Sequence, residues 1–180
     1  MHYNPNIKHY LFDNINNWCE YTLKRFMVLT ITQCKPNPLG RDRYAKDIPN
    51  SQLAGEWLDF KNFGTTSVNL SEIVLYHTAY MQNKPNGVWN LMCEFDFTLP
   101  AGKSLRVHSG GVVPLYELKP IDRVGCDFHV FTGKGYTLNN DKPEEIGLLE
   151  KKLDKWVDIA KYNAYPKEGR ILIRSGDYLI

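Results

Sequence analysis

The sequence predicts an all-β fold, an antiparallel β-sandwich. Short segments rich in β-branched and aromatic residues recur along the chain, and turns containing Gly or Pro separate them. Helical spacing is confined to the N-terminus, which argues against a parallel α/β sheet. Of the 180 residues, 43% are hydrophobic and 13% are aromatic, which suits one core between two sheets. We therefore expect one domain with extensions at its ends.

The N-terminal residues 1–25 are predicted to form an arm with a short helix. An amphipathic helix is expected over residues 14–24, because Ile15, Trp18 and Leu23 recur at helical spacing. Packing against the core is the simpler interpretation of this stripe, and docking of a partner chain is the alternative. Ile15, Trp18 and Leu23 are therefore candidate partner-binding residues.

The strands are predicted to follow the arm. Residues 26–34 form the first strand, which ends at residues 35–40 because two prolines there prevent further pairing. Residues 41–54 are predicted to form a long polar loop with at most one turn of helix, and residues 82–87 a turn. The further predicted strands are 56–62, 68–71 leading into 73–77, 93–99, 104–108, 128–131, 146–149, 156–159 and 171–173.

The C-terminal residues 165–180 are predicted to form an extension with an edge strand. Its apolar residues Ile171 and Ile173 lie between Arg170 and Arg174, and charge around an apolar strand is typical of sheet edges. Such a strand can pair between two copies of a chain. Ile171 and Ile173 are therefore candidate contacts for self-association or for a protein partner.

Residues 56–71 have the sequence EWLDFKNFGTTSVNLS, which resembles the signature of the lamin-tail domain family. The resemblance continues in KPNPLGRD at 35–42, in FTLPAGKSLRVHSG at 97–110 and in the turn segments of 133–141. It implies an immunoglobulin-like β-sandwich over residues 26–164, with residues 111–127 as an insertion. It also implies a non-catalytic structural or protein-interaction module, a scaffold, since lamin-tail domains are adaptor-like and some contact chromatin or DNA.

The charge balance does not favour nucleic acid as the partner. The chain carries 22 basic and 20 acidic residues, a net charge of +2, whereas nucleic-acid-binding proteins usually have a clear basic surplus on one face. A weak nucleic-acid-binding domain is therefore kept as the alternative function. A protein partner is the leading expectation.

No catalytic motif is present, and neither an enzyme activity nor a cofactor is predicted. His108 and His129 could form a metal cluster with Cys126 if the strands at 104–108 and 128–131 were neighbours, although sheet-surface histidines are the simpler interpretation. A metal-dependent enzyme site on the 111–127 insertion is the corresponding alternative. We predict no metal site.

Two pairs of carboxylates could suggest acid-base chemistry or Ca²⁺ binding. Glu94 and Asp96 share one face of a predicted strand, whereas Glu56 and Asp59 point to opposite faces. Neither pair forms a pocket by itself, and all four side chains are predicted to be solvated.

The cysteines and the N-terminus bear on the cellular location. Cys19, Cys34, Cys93 and Cys126 form no C-x-x-C pair, so free thiols are expected. The sequence shows no signal-like start and no apolar run of the length that a membrane span needs. We expect a cytoplasmic protein without a membrane span, or a secreted one if a signal peptide has been removed.

Overall fold

The computed structural model describes residues 29–40, 47–81 and 84–180, apart from the side chains of residues 84 and 85. The described chain is mostly β-structure, which confirms the all-β prediction. The predicted helix over 14–24, with the candidate partner-binding residues Ile15, Trp18 and Leu23, lies outside the described residues.

Twelve strands, two short α-helices and two 3-10 turns make up the described elements. The helices are α1 (Asn50–Leu53) and α2 (Pro120–Arg123), and the 3-10 turns are Leu70–Glu72 and Leu115–Glu117. The strands are β1 (Leu29–Lys35), β2 (Trp57–Asn62), β3 (Val68–Asn69), β4 (Ile73–Met81), β5 (Lys84–Glu94), β6 (Thr98–Leu99), β7 (Ser104–His108), β8 (Phe128–Phe131), β9 (Glu144–Glu150), β10 (Lys155–Tyr162), β11 (Leu172–Ser175) and β12 (Tyr178–Leu179).

Ten of the strands form one large curled sheet. Their order is β5-β4-β9-β10-β12-β11-β1-β2-β7-β8, and β3 pairs separately with β6. Neighbouring strands are antiparallel except for β10 with β12 and β7 with β8. One hydrophobic cluster takes side chains from both halves of the strand order, including Ile31, Phe60 and Leu105 from one half and Leu75 and Leu148 from the other.

Asn62 holds the turn that follows β2. Its amide nitrogen donates to the carbonyl oxygens of Thr66 (2.8 Å) and Leu99 (3.1 Å), and its amide oxygen accepts from the Gly64 N–H at 2.9 Å. These bonds join the turn to β6 and satisfy backbone groups that the turn leaves unpaired.

The predicted strand at 93–99 is interrupted in the structure. Phe95 and Leu99 are buried while Glu94 and Asp96 are exposed. The alternation of apolar and acidic residues therefore predicted correctly which side chains face the core. The ladder nevertheless ends at Glu94, because the chain leaves β4 there and pairs again with β3 at residues 98–99.

Two further segments differ from the sequence expectations. The predicted turn at 82–87 overlaps the start of β5, where Gly87 has a φ of +74° beside a register shift. The C-terminal strand β11 lies between β12 and β1, so both its edges are paired and the predicted edge strand is corrected to an interior one. Among the described strands, β5 and β8 lie at the two ends of the sheet.

Candidate functional site

A buried ion pair lies beneath residues 111–127, the segment that the resemblance implies to be an insertion and that we call the insertion. Asp59 on β2 and Arg106 on β7 stand opposite each other in the ladder, and each side chain is almost completely buried. Arg106 Nε donates to Asp59 Oδ1 at 2.7 Å, and a terminal guanidinium nitrogen donates to Oδ2 at 2.8 Å. This two-bond geometry offsets the cost of removing both charges from water. The prediction that Asp59 is solvated was wrong.

Arg106 also binds the insertion directly. Its second terminal nitrogen donates to the carbonyl oxygens of Ile121 and Val124, each at 3.2 Å. The guanidinium carbon lies 3.6 Å from the ring centre of Trp57, a cation-π distance. One side chain thus joins two strands to the backbone around α2.

Asp122 in α2 provides a second anchor. Its side chain accepts a hydrogen bond from Trp57 Nε1 at 2.8 Å and pairs with the ammonium group of Lys35. Asp122 and Lys35 are 2% and 4% exposed, so this pair is as deeply buried as a core contact. Burial lowers the pKa of Lys35, and the contact with Asp122 opposes that shift.

The outer side of the insertion exposes apolar side chains among four charged ones, Glu117, Lys119, Arg123 and Asp127. Val113 and Leu118 turn inward and pack with Ala54, whereas several neighbouring apolar residues face solvent. We call the exposed group the insertion surface: Val112 (81% exposed), Leu115 (42%), Tyr116 (77%), Ile121 (47%) and Val124 (59%). Exposed apolar patches are typical of contact sites for other molecules, and these five side chains belong to one segment.

The structure brings together His108, His129 and Cys126, since β7 and β8 are neighbours. The Nε2 atom of His108 lies 2.8 Å from Nδ1 of His129. The ring centres are 5.1 Å apart and the planes differ by 14°. When two nearly parallel imidazole rings have centres 5.1 Å apart, a nitrogen–nitrogen distance of 2.8 Å requires the rings to lie side by side in one plane. The two histidines are therefore joined edge to edge by a hydrogen bond and are not stacked.

The proton positions in this cluster follow from its backbone partner. Nδ1 of His108 lies 2.6 Å from the carbonyl oxygen of Ala54, which can only accept, so Nδ1 carries the proton. Nε2 of the neutral His108 ring then accepts the Nδ1–H of His129. This arrangement leaves no space for a metal ion between the rings, because two tetrahedral zinc–nitrogen bonds would hold the nitrogens about 3.3 Å apart.

No group of three or more His, Cys, Asp or Glu side chains among the described residues is arranged to hold a metal ion. The sulfur of Cys126 lies 3.2 Å from Nε2 and 3.9 Å from Nδ1 of His129. Burial raises the pKa of Cys126 to about 11. Burial also lowers the pKa of His108 to about 3, and burial and then Arg106 lower that of His129.

These shifts favour a neutral thiol beside a neutral imidazole. A nucleophilic cysteine needs the opposite arrangement, a thiol pKa lowered by a cationic neighbour. The contacts of the cluster join Ala54, β7 and β8 at the two ends of the insertion.

Glu56 is a second buried carboxylate that was predicted to be solvated. It is 0% exposed, and its Oε1 accepts hydrogen bonds from Ser109 Oγ and the Thr137 N–H at 2.5 Å each and from the Leu138 N–H at 3.2 Å. The carboxylate fixes the chain on either side of the insertion and β8. Glu56 is therefore a positioning residue.

The residues predicted to bind a partner are not brought to this site. Ile171 and Ile173 lie in and beside β11, and the Ile173 side chain is 60% exposed. Its backbone N–H and C=O bond to Ile180 within the hairpin and are not available to another strand. The three N-terminal candidates lie outside the described residues.

The anchors Trp57, Arg106 and Asp122 were not predicted from the sequence. A signal was present in β2, where Trp57 and Asp59 share the face opposite to Leu58 and Phe60. A large apolar ring on this face of β2 is buried only if another segment covers it, and residues 111–127 cover Trp57.

No protein-family model and no curated protein matches this chain. In the ranges 29–40, 47–81 and 84–180, no helix is long and apolar enough to cross a membrane.

Proposed function

We propose that this chain is a non-catalytic protein-interaction or scaffold module whose contact surface is the insertion surface. The observation that carries the proposal is the combination of apolar side chains facing solvent and buried ion pairs beneath the same segment. A segment fixed in one conformation loses little entropy when a partner binds. The insertion is held in one conformation by the buried contacts of Arg106 and Asp122.

The contacts distinguish the insertion from an ordinary surface loop. Surface loops carry polar side chains and are free to move. Here Arg106 and Asp122 join residues 121–124 to β1, β2 and β7, at the cost of burying four charged groups. We take these buried pairs to fix the position of the segment, and a defined binding surface gives a reason for that position.

The fold proposed for this module is an immunoglobulin-like β-sandwich of the lamin-tail type. The resemblance of residues 56–71 supports it, as does the antiparallel pairing around one hydrophobic cluster. The proposed lack of catalysis is supported by the cluster of His108, His129 and Cys126, whose pKa shifts favour the unreactive thiol.

A quantitative pull-down from the source cells tests the proposal. Tyr116 and Val124 are replaced by Ser in one variant, and Leu153, which is 63% exposed on the β9–β10 turn, is replaced by Ser in the control. A protein retained by the native chain and by Leu153→Ser, but lost from the double variant, supports the proposal. Equal retention by all three chains contradicts it.

Nucleic acid is examined in the same experiment. Extracts are treated with nuclease before capture, and binding of labelled duplex DNA is measured at physiological salt. Salt-dependent binding that persists in the Tyr116 and Val124 variant would favour the nucleic-acid alternative over a protein contact at this surface.

A further inference from the structure

Among the strands that the structure describes, β5 has one edge that pairs with no other strand. It is the first strand in the ten-strand order, with β4 as its neighbour on one side, and it spans the eleven residues Lys84–Glu94. An edge strand of this length presents unpaired N–H and C=O groups to any strand of matching register.

The backbone of Trp89 faces this edge. Trp89 stands opposite Thr78 in the β4–β5 ladder. The Thr78 N–H donates to Glu144 Oε1 at 2.7 Å, and its carbonyl accepts from Asn139 Nδ2 at 2.6 Å, so both groups point away from β5. Thr78 and Trp89 therefore form a non-hydrogen-bonded pair, in which the backbone N–H and C=O groups of the two residues point away from each other. The N–H and C=O groups of Trp89 thus point to the edge of β5 that faces away from β4.

The backbone of Leu91 faces the same edge. Its carbonyl accepts a hydrogen bond from Lys134 Nζ at 2.7 Å, and Lys134 lies in the loop after β8, not on β4. Residues two positions apart in a strand point their backbone groups in the same direction, so this agrees with the assignment for Trp89.

We propose that β5 pairs antiparallel with β5 of a second copy of this chain, about a two-fold axis at Asn90. In this register Trp89 of each copy stands opposite Leu91 of the other, and each pair exchanges two N–H···O=C bonds. Trp89 and Leu91, whose backbone N–H and C=O groups face the edge, are thus the residues that the two-fold axis brings together.

The side chains favour a second copy as the occupant. Trp89 and Leu91 share the outer face of β5 and are 37% and 38% exposed. The two-fold axis places Trp89 of one copy beside Leu91 of the other, which gives two aromatic–aliphatic cross-strand pairs. Residues 86–93 include no charged side chain, so no like charges oppose each other across the axis. A two-fold contact of one patch with itself is the commonest form of protein self-association.

Lys134 competes with this pairing. Its ammonium group occupies the Leu91 carbonyl that the Trp89 N–H of the second copy must reach. A lysine over a strand edge is a known protection against unwanted pairing. The dimer therefore forms only when Lys134 is displaced, which makes its population depend on concentration and on this side chain.

Sedimentation velocity over a wide range of protein concentration gives the first test. Replacing Lys134→Met removes the competitor and is expected to tighten self-association about 10- to 100-fold, because the dimer breaks one such bond in each copy and a typical hydrogen bond is worth about 3- to 10-fold. The control Lys142→Met removes an exposed lysine elsewhere and should match the native chain. The proposal is overturned if every chain stays monomeric, or if the two variants behave alike.

Amide hydrogen exchange measured by NMR gives the second test. The N–H groups of Trp89 and Leu91 should become protected as concentration rises, whereas those of Val88 and Asn90, which face β4, should be protected at every concentration. Self-association that leaves exchange at Trp89 and Leu91 unchanged would show that the contact lies elsewhere and would overturn the proposal.

Discussion

Asp59 and Arg106 stand opposite each other on adjacent strands and form two hydrogen bonds of 2.7 and 2.8 Å out of contact with water. They lie on the face of β2 that the insertion covers, where Gln33 Nε2 adds a third bond to Asp59 at 2.7 Å. The fold therefore depends on a charged pair that is buried on the face of the sheet opposite to the main hydrophobic cluster.

Replacing Arg106→Met should destabilise the fold by about 3–5 kcal/mol, because it leaves the Asp59 carboxylate buried without its counter-charge. Urea unfolding followed by circular dichroism measures the loss. The control is Lys103→Met at the exposed pair with Asp127, where a loss under about 1 kcal/mol is expected. Equal losses in the two variants would refute the role assigned to the buried pair.

Replacing Asp122→Ala should loosen the insertion, because Trp57 Nε1 and the Lys35 ammonium lose their shared acceptor. Trypsin should then cut after Arg123 faster than in the native chain under native conditions, and mass spectrometry identifies the site. Glu117→Ala, an exposed change in the same segment, serves as control. First cuts elsewhere, or an unchanged rate after Arg123, would count against the anchoring role.

Stability should fall as the pH is lowered from about 6.5 toward 3. Burial lowers the pKa of His108 to about 3 and also lowers that of His129 from the ordinary 6.5, so the unfolded chain binds more protons in this window. Each such histidine contributes a slope of up to about 1.4 kcal/mol per pH unit. The stabilising contribution is complete above pH 6.5.

Urea unfolding at a series of pH values measures this slope. A variant with both His108→Gln and His129→Gln should show a flatter dependence between pH 6.5 and 4, whatever its absolute stability. His129 is expected to take the first proton, since a backbone bond with Arg123 favours its charged form. An unchanged slope in the double variant would disprove this source of pH dependence.

Replacing Gly147→Ala should displace Trp156 on the outer face of the sheet. A Cβ atom at position 147 would lie 2.5 Å from a carbon of the Trp156 ring, whose centre is 4.4 Å from that of Trp89. We expect a loss of about 1–3 kcal/mol and a changed near-ultraviolet circular dichroism spectrum. Gly135→Ala, with no atom within 4 Å of the added group, should do neither; matching effects would contradict the packing argument.

Periodicity predicted the local structure well where a strand has one buried face. Strands β7 and β8 begin and end at the predicted residues, because Leu105 and Val107 alternate with polar positions. The same rule failed at 93–99, where the alternation continues after the ladder has ended. Burial follows the side-chain pattern, whereas pairing depends on which neighbour the chain can reach.

The buried charges of the site could not be predicted from local sequence. Glu56 and Asp59 read as solvated because their partners Ser109, Thr137 and Arg106 are distant in sequence. The interior position of β11 was missed for the same reason, since it depends on a partner about 140 residues away, Cys34 for Leu172. Only tertiary structure supplies these neighbours.

The position of the C-terminal hairpin has a consequence for biosynthesis. Strands β12 and β11 lie between β10 and β1. The hairpin of residues 172–179 therefore connects the half of the sheet that ends at β10 to the half that begins at β1. A ribosome makes this hairpin after all the other described strands. During synthesis the two halves of the sheet therefore wait with unpaired edges on β1 and β10, and we expect chaperones to engage the nascent chain at that stage.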